Sequence, residues 1–167
     1  MLQTLNRHDN DRAALSSGGL SCSASLGGGD PYLRCGGARL ATQADAPFVS
    51  EIVGTDAPDF MQRVTTILTT HGGFFLEPIT ASVLEAHMFF RKEGRGREAL
   101  HAARAGLRYA FKVMGALVVF GRIAVEDRPA RLFTRTIGFR SDGIRLREPG
   151  GPLVEWFELR SDACLLR

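Results

Sequence analysis

Residues 82–125 constrain the fold most, because they carry the pattern of a parallel strand-helix-strand crossover. The apolar run SVLEAHMFF leads into the basic glycine segment RKEGRGREAL at residues 91–100, and a helical pattern follows. The next run, ALVVFGRIAV, is nearly all apolar, as a strand covered on both faces would be. A right-handed crossover of this kind places its two strands in one sheet. The chain is therefore expected to build a sheet around a parallel pair.

The other segments predict a mixed α/β domain with the element order βααββαβαββ. A first strand is expected within residues 32–43, a helix capped by Asp45 follows, and a second helix is expected over 59–70 because its apolar residues recur at helical spacing. The runs GGFFLEPI and SVLEAHMFF predict an antiparallel hairpin. The crossover helix is expected over 97–114. A helix capped by Asp127 and a second hairpin complete the chain.

Composition divides the chain into an arm and a domain. Residues 1–30 include SSGGLSCSASLGGG, which has little apolar surface to offset the entropy of ordering it. We therefore expect a disordered Ser/Gly-rich arm over 1–30 and one domain over 31–167. No apolar run approaches the ~20 residues of a membrane span, and no secretory signal pattern is present, so a cytoplasmic protein without a membrane partner is expected.

The cysteines and histidines do not predict a metal site. The three cysteines show no CxxC spacing, and the four histidines form no HExxH motif. Nucleic acid is not an expected partner either, because no aromatic residues interleave with the basic residues of the crossover helix.

The glycine segment is the strongest candidate for a ligand site. A loop that enters a helix presents unpaired backbone N–H groups and the positive end of the helix dipole, which together favour an anion. Gly94 and Gly96 permit positive φ and a close approach of the backbone to a ligand, and Arg95 and Arg97 add positive charge. We expect a phosphate group here, the alternative being a plain turn with solvated arginines.

Two phosphate-containing ligands fit this loop. GRGREA matches the dinucleotide fingerprint GxGxxA, which makes an NAD(P)-dependent oxidoreductase one alternative. However, Arg91, Lys92 and Glu93 separate the strand from the first glycine, and the chain shows one parallel crossover where a dinucleotide fold needs several.

A second interpretation explains more of the chain. Arg91, Gly94 and Gly96 spell R-x-x-G-x-G, which resembles the pyrophosphate loop of the GNAT superfamily of N-acyltransferases. The segment DRPARLFTRTIGF is similar to that family's N-x-x-A-x-x-L-Y-x-x-x-G-F segment; the positions that agree with it are Ala130, Phe133, Gly138 and Phe139. The resemblance covers roughly residues 32–160, and the chain resembles in particular the GNAT-like proteins of phages and prophages.

The resemblance implies a fold, a reaction and a set of binding residues. The fold is a mixed, mostly antiparallel sheet whose central parallel pair splays to hold CoA. The reaction is transfer of an acetyl group from acetyl-CoA to a primary amine, and a homodimer is compatible with it. The cofactor-binding residues that the resemblance implies are Ala86, His87, Met88, Arg91, Gly94, Arg95, Gly96, Arg97, Asp127 and Phe133.

Glu85 and His87 are the candidate catalytic residues. They lie on one face of the strand that leads into the loop, and an attacking ammonium must first lose a proton to a base. In the family a glutamate on this strand is often that base; the alternatives are a surface carboxylate and a structural histidine. Thr134 replaces the family's usual tyrosine and Asp127 its usual asparagine. A catalytically degenerate CoA-binding or interaction module is therefore the alternative function.

Overall fold

A seven-stranded sheet organises the part of the chain that a computed structural model describes, which is residue 33, residues 37–54 and residues 57–162. The arm predicted over 1–30 lies outside these residues. The helices and strands, in chain order, are β1 (Arg39–Leu40), α1 (Ala46–Val53), α2 (Ala57–Arg63), β2 (Thr65–Leu68), β3 (Gly72–Pro78), β4 (Val83–Phe90), α3 (Arg97–Lys112), β5 (Val118–Ala124), α4 (Arg128–Thr136), β6 (Arg140–Leu146) and β7 (Leu153–Arg160).

The strands lie in the order β1-β2-β3-β4-β5-β7-β6, and neighbours are antiparallel except β4 and β5. The parallel ladder joins Val83 to Val118, Leu84 to Val119 and Glu85 to Phe120, and then it ends. β4 continues to residue 90 and β5 to residue 124, so the two strands run on without pairing to each other. The predicted splayed parallel pair is present.

Helices cover both faces of the sheet because successive side chains of a strand point to opposite faces. On one face, Phe74 and Leu84 pack in a cluster with Leu107 of α3, and Phe133 of α4 packs against the same cluster. This close contact requires Gly106, since a Cβ there would lie 2.1 Å from the Phe74 ring. α1 and α2 pack on the other face, in a cluster that includes Val49, Val53, Ala57, Phe75 and Phe89.

The second predicted helix is wrong in its second half. α2 ends at Arg63, and residues 65–68 form β2, which pairs with both β1 and β3. Phe60, Val64 and Ile67 do recur at helical spacing, but the run TTIL contains three β-branched residues that favour a strand once partners exist on both sides. The observed order is βααβββαβαββ.

The two predicted caps differ in outcome. Asp127 caps α4, because its carboxylate accepts a hydrogen bond of 3.0 Å from the backbone N–H of Ala130. Asp45 precedes α1 but makes no cap contact with it; its carboxylate accepts hydrogen bonds from the Arg39 side chain and from Thr42 instead. Among the described residues, no helix is both long and apolar enough to cross a membrane.

Candidate active site

The separation of β4 and β5 opens a cleft immediately after their last residue pair. Its apex lies between Ala86 and Gly121, where a Cβ added to Gly121 would be 3.6 Å from the Ala86 carbonyl oxygen. Beyond this point the facing backbone edges of 86–90 and 121–124 share no ladder. An extended ligand can therefore pair with these edges as an added strand does. Ala86, His87 and Met88, which the sequence analysis places beside the cofactor, lie on this stretch of β4.

The glycine loop, residues 91–97, connects the end of this cleft to α3. Gly96 is the N-cap residue of α3 with φ +90° and ψ −114°, and no side chain among the described residues caps the helix there. The first N–H groups of a helix have no acceptor within the helix itself. A Cβ at Gly96 would meet no described atom within 4 Å. The space beside Gly96 is therefore open among the described residues.

Gly94 and Arg95, both predicted to bind the cofactor, use their backbone N–H groups within the loop itself. Their N–H groups donate to the carbonyl oxygens of Arg91 and Lys92, at 3.1 and 3.3 Å, inside a short 3₁₀ turn over Lys92–Gly94. Gly94 also lies outside the positive-φ region. A glycine is needed at position 94 for packing, because a Cβ there would lie 2.7 Å from the Cβ of His71. The amides of Gly96 and Arg97 are left as the better anion donors.

Arg91, another residue that is predicted to bind the cofactor, contacts α1. Its guanidinium donates to Glu51 at 2.5 Å and lies 5.0 Å from the centre of the Phe48 ring, so it faces α1. The side chain therefore fixes the loop to α1, whereas Arg95 and Arg97 are exposed.

Glu85 and His87 form a cluster with Glu77 of β3. Glu77 and Glu85 are paired across the β3–β4 hairpin, and His87 lies two residues along on the same face. His87 Nε2 is 3.4 Å from Glu77 Oε2 and 4.0 Å from Glu85 Oε1. The side chains of Glu85 and His87 are both 5% exposed, whereas that of Glu77 is 29% exposed. Glu77 is thus the member of the cluster that reaches solvent.

Arg122 joins this cluster from the other side of the cleft. Its Nε and Nη2 donate to the two carboxylate oxygens of Glu85 at 2.8 and 2.6 Å. The ion pair links β4 to β5 at the residues where their backbones separate. Both oxygens of Glu85 are therefore occupied, which does not favour the predicted role of Glu85 as the direct proton acceptor. Arg122 also lies 5.5 Å from the ring centre of Trp156, which stacks on Phe120.

Burial lowers the pKa of His87 below its ordinary value of 6.5, while the charges of Glu85 and Glu77 act in the opposite direction. The imidazole is therefore mostly neutral at neutral pH and able to accept a proton. The ligand atoms of Glu77, Glu85 and His87 lie within 4.8 Å of one another, a spacing that a divalent cation could bridge. The guanidinium of Arg122 already supplies positive charge to Glu85.

No family model matches the chain, and no curated protein matches its sequence. Solved structures do match its fold. A single-residue mutant of the spermidine N-acetyltransferase SpeG from Vibrio cholerae superposes with a TM-score of 0.67 at 15% identity, covering 77% of this chain and 96% of that one. The same enzyme in complex with manganese ions gives 0.62 at 16% identity over 75% and 92% of the two chains. A dodecameric form gives 0.65 at 15% identity over 77% and 95%.

The chain has the GNAT fold. The fold class expected from the sequence is thereby confirmed, including the mostly antiparallel sheet with one parallel pair among the described strands. At this level of identity the likeness concerns the fold alone.

In this GNAT fold the second sequence motif lies at the start of α4. One carboxylate oxygen of Asp127 caps α4 and the half-buried Phe133 packs against the core; both residues are predicted to bind the cofactor. Thr134 is half-buried on the same helix. α4 itself is fixed to the sheet by Glu155 of β7, which pairs with Arg131 and with Arg135, the latter at 2.6 Å.

Four residues of the site were missed by sequence reasoning. Glu77 could have been found from the predicted β3–β4 hairpin, because its register places Glu77 opposite Glu85. Arg122 could not, because an arginine on the β5 run carries no local sign of a partner 37 positions away. The other two, His71 and Glu98, are hydrogen-bonded to each other. They lie 27 positions apart, between β2 and β3 and in α3, so their contact depends on the packing of α3 on the sheet.

Proposed function

We propose that this protein transfers an acetyl group from acetyl-CoA to a primary amine. The observation that carries the proposal is the combination, in one GNAT fold, of the β4–β5 cleft with an N-terminus of α3 that no described side chain caps. The pantetheine arm pairs with the free strand edges, and the pyrophosphate binds the N–H groups of Gly96 and Arg97. The exposed side chains of Arg95 and Arg97 add positive charge.

The thioester then lies near the apex of the cleft, beside the cluster of Glu77, Glu85 and His87. His87 accepts the proton of the acceptor ammonium through a water molecule, since its imidazole is mostly neutral and buried. The carboxylates of Glu77 and Glu85 stabilise the imidazolium that forms. The freed amine nitrogen attacks the thioester carbon, the C–S bond breaks, and the nitrogen gives up its second proton to water, so that an amide and a CoA thiolate result.

The thiolate leaves without a protein acid at position 134. A threonine hydroxyl is far less acidic than the phenol that it replaces. We therefore assign protonation of the thiolate to water. The names of the similar structures, spermidine N-acetyltransferases, support N-acetylation as the reaction type.

Two measurements test this function. Titration with acetyl-CoA and with NADPH separates a CoA protein from a dinucleotide protein. Release of thiol from acetyl-CoA in the presence of a panel of primary amines, spermidine among them, then separates an enzyme from a degenerate binder. Binding of acetyl-CoA without thiol release for any amine would leave the CoA-binding module, and binding of NADPH alone would favour the oxidoreductase.

His87→Gln tests the assigned base. We expect kcat to fall by about 10²-fold, the low end for a positioned base, with the KM for acetyl-CoA unchanged. The matched variant is Glu85→Gln, which retains a hydrogen-bond acceptor for Arg122. If His87→Gln keeps the wild-type turnover and pH profile while Glu85→Gln loses activity, the base is Glu85 and the assignment to His87 is wrong.

A further inference from the structure

The turn between β2 and β3, residues 69–72, forms the floor of the glycine loop. The backbone N–H of Arg91 donates to the carbonyl oxygen of His71 at 2.8 Å. Gly94 packs so closely that a Cβ there would lie 2.7 Å from the Cβ of His71. The loop that precedes α3 therefore rests on His71 at both of these residues.

Glu98 lies in the first turn of α3 and connects this helix to the β2–β3 turn. Its Oε1 accepts from the backbone N–H of His71 at 2.8 Å, and its Oε2 lies 2.7 Å from His71 Nδ1. Burial opposes ionisation of Glu98, but hydrogen bonds from Thr69 and His71 hold its pKa below the usual range. A charged carboxylate thus contacts both the backbone N–H and the imidazole of His71 in the β2–β3 turn.

The position of Glu98 is unexpected for an anion site. A carboxylate in the first turn of a helix competes with any phosphate bound there, because like charges repel. Charge alone therefore predicts that CoA binds better without Glu98. Both of its oxygens are engaged by His71, however, so its contribution to the site is geometric.

We infer that Glu98 and His71 are positioning residues for the CoA donor: they hold the glycine loop in the shape that presents the N–H groups of Gly96 and Arg97 to the pyrophosphate. The inference rests on the proposed function and concerns the same donor site. Neither residue touches the donor in this assignment; each acts through the loop.

The experiment measures steady-state kinetics for acetyl-CoA with Glu98→Ala, Glu98→Gln and His71→Ala. Glu98→Ala should raise the KM for acetyl-CoA about tenfold, the scale of one charge-assisted hydrogen bond, and leave kcat within about twofold. Glu98→Gln should restore the wild-type KM or lower it, since the amide oxygen still accepts from His71 and the repelling charge is gone. His71→Ala keeps the backbone hydrogen bond and should raise KM by about threefold.

The matched control is Glu93→Ala, which removes an exposed carboxylate from the same loop. It should leave the KM for acetyl-CoA unchanged or lower it slightly, because it removes a negative charge while the contacts of Glu98 with His71 remain. If Glu98→Ala lowers KM as Glu93→Ala does, Glu98 acts through charge alone and the inference is overturned. A fall in melting temperature with unchanged KM would show a purely structural role and overturn it equally.

A failure of the inference differs from a failure of the proposed function. If wild type turns over acetyl-CoA while all three variants keep its KM, the positioning role is wrong and the function stands. If wild type neither binds CoA nor releases thiol, both fall. Should Glu98→Ala not fold, the other two variants still test the inference, because His71→Ala should raise the KM for acetyl-CoA and Glu98→Gln should not.

Discussion

His87 combines deep burial with two carboxylate neighbours, and the balance of these effects determines its protonation in the folded protein. The side chain is 5% exposed, and burial disfavours its charged form. Glu77 and Glu85 act against burial, yet the pKa stays below 6.5. A histidine poised in this way is neutral in the resting protein and becomes stabilised as a cation while a proton is in transit.

The lowered pKa of His87 has a consequence for stability. Unfolding restores the ordinary pKa of 6.5, so below that pH the unfolded chain binds a proton that the folded chain does not. Stability from the neutral histidine is therefore complete above pH 6.5 and is lost as the pH falls from there toward the lower folded-state pKa. We expect the urea midpoint to decrease between about pH 7.5 and 5.5 in wild type, and to decrease less in His87→Gln.

His101→Gln is the control for this pH dependence. It removes a half-buried histidine of α3 from outside the cluster and should keep the wild-type slope. Measurements above about pH 5 avoid the carboxylates with lowered pKa, Asp45, Glu98 and Glu155. Their stability contribution is lost only as the pH falls below the ordinary values of 3.8 for Asp and 4.5 for Glu. A slope that is equal in wild type and His87→Gln would contradict the assignment.

At the scale of single elements, α4 depends on an ion-pair network for its position. Among its described residues none is fully buried. Glu155 of β7 is 3% exposed and binds both Arg131 and Arg135 of α4. Arg131 also donates to the carbonyl oxygen of Val125 at 2.9 Å, which ties α4 to the end of β5. A helix with few buried apolar contacts is held in place by a buried carboxylate.

Glu155→Gln should therefore destabilise the protein by about 2 kcal/mol, the scale of hydrogen bonds to a charged group that lose their charge. Glu158→Gln is the matched control on the same strand. Its partner Arg160 is 59% exposed, so an effect of about 0.5 kcal/mol or less is expected. Urea unfolding of both variants gives the comparison, and equal effects would show that the buried network does not hold α4.

Some elements of the fold could be predicted from the sequence because each carries a local signal. Periodicity predicted the crossover, turn residues predicted the two hairpins, and cap chemistry predicted the Asp127 cap. β2 was missed because TTIL is short and its strand character depends on pairing with both β1 and β3. Secondary structure with a remote cause is hidden from local patterns.

The same division applies to the site. Gly96 and its place before α3 were predicted from two glycines between a strand and a helix. The requirement for a glycine at position 94 was not predicted, because it arises from a tertiary contact with His71. The ion pair of Glu85 with Arg122 likewise depends on where two strands separate, which no sequence period encodes.

At the scale of the whole molecule, the sheet consists of two halves with a weak junction. β1 to β4 form one antiparallel group, and β5, β7 and β6 form the other. Three parallel residue pairs, the ion pair of Glu85 with Arg122 and the packing of α3 connect them. A CoA molecule in the cleft would add backbone hydrogen bonds to both halves, so binding should protect backbone N–H groups on both sides of the junction.

We expect saturating CoA to slow amide hydrogen exchange in three segments: residues 86–90, residues 121–124 and residues 96–99. The first two gain a strand-like partner and the third gains a phosphate, and each protects N–H groups that the described fold leaves unpaired toward the cleft. At about 100 times its dissociation constant the ligand contributes about 2.7 kcal/mol, enough to raise the melting temperature by about 5 to 15 °C. Exchange measured by mass spectrometry locates the effect.

Two comparisons make this prediction specific. β6 is an edge strand with every residue exposed and lies two strands away from the cleft, so its exchange should not change with CoA. Gly96→Asp should abolish protection in all three segments, because a carboxylate at that point repels the pyrophosphate. The variant should still fold, since a Cβ at this position meets no described atom within 4 Å and the φ of +90° costs a non-glycine residue about 1 to 3 kcal/mol. Protection that is confined to residues 96–99 would mean that a phosphate binds at α3 while the cleft stays empty, and the cleft would then not be the donor site.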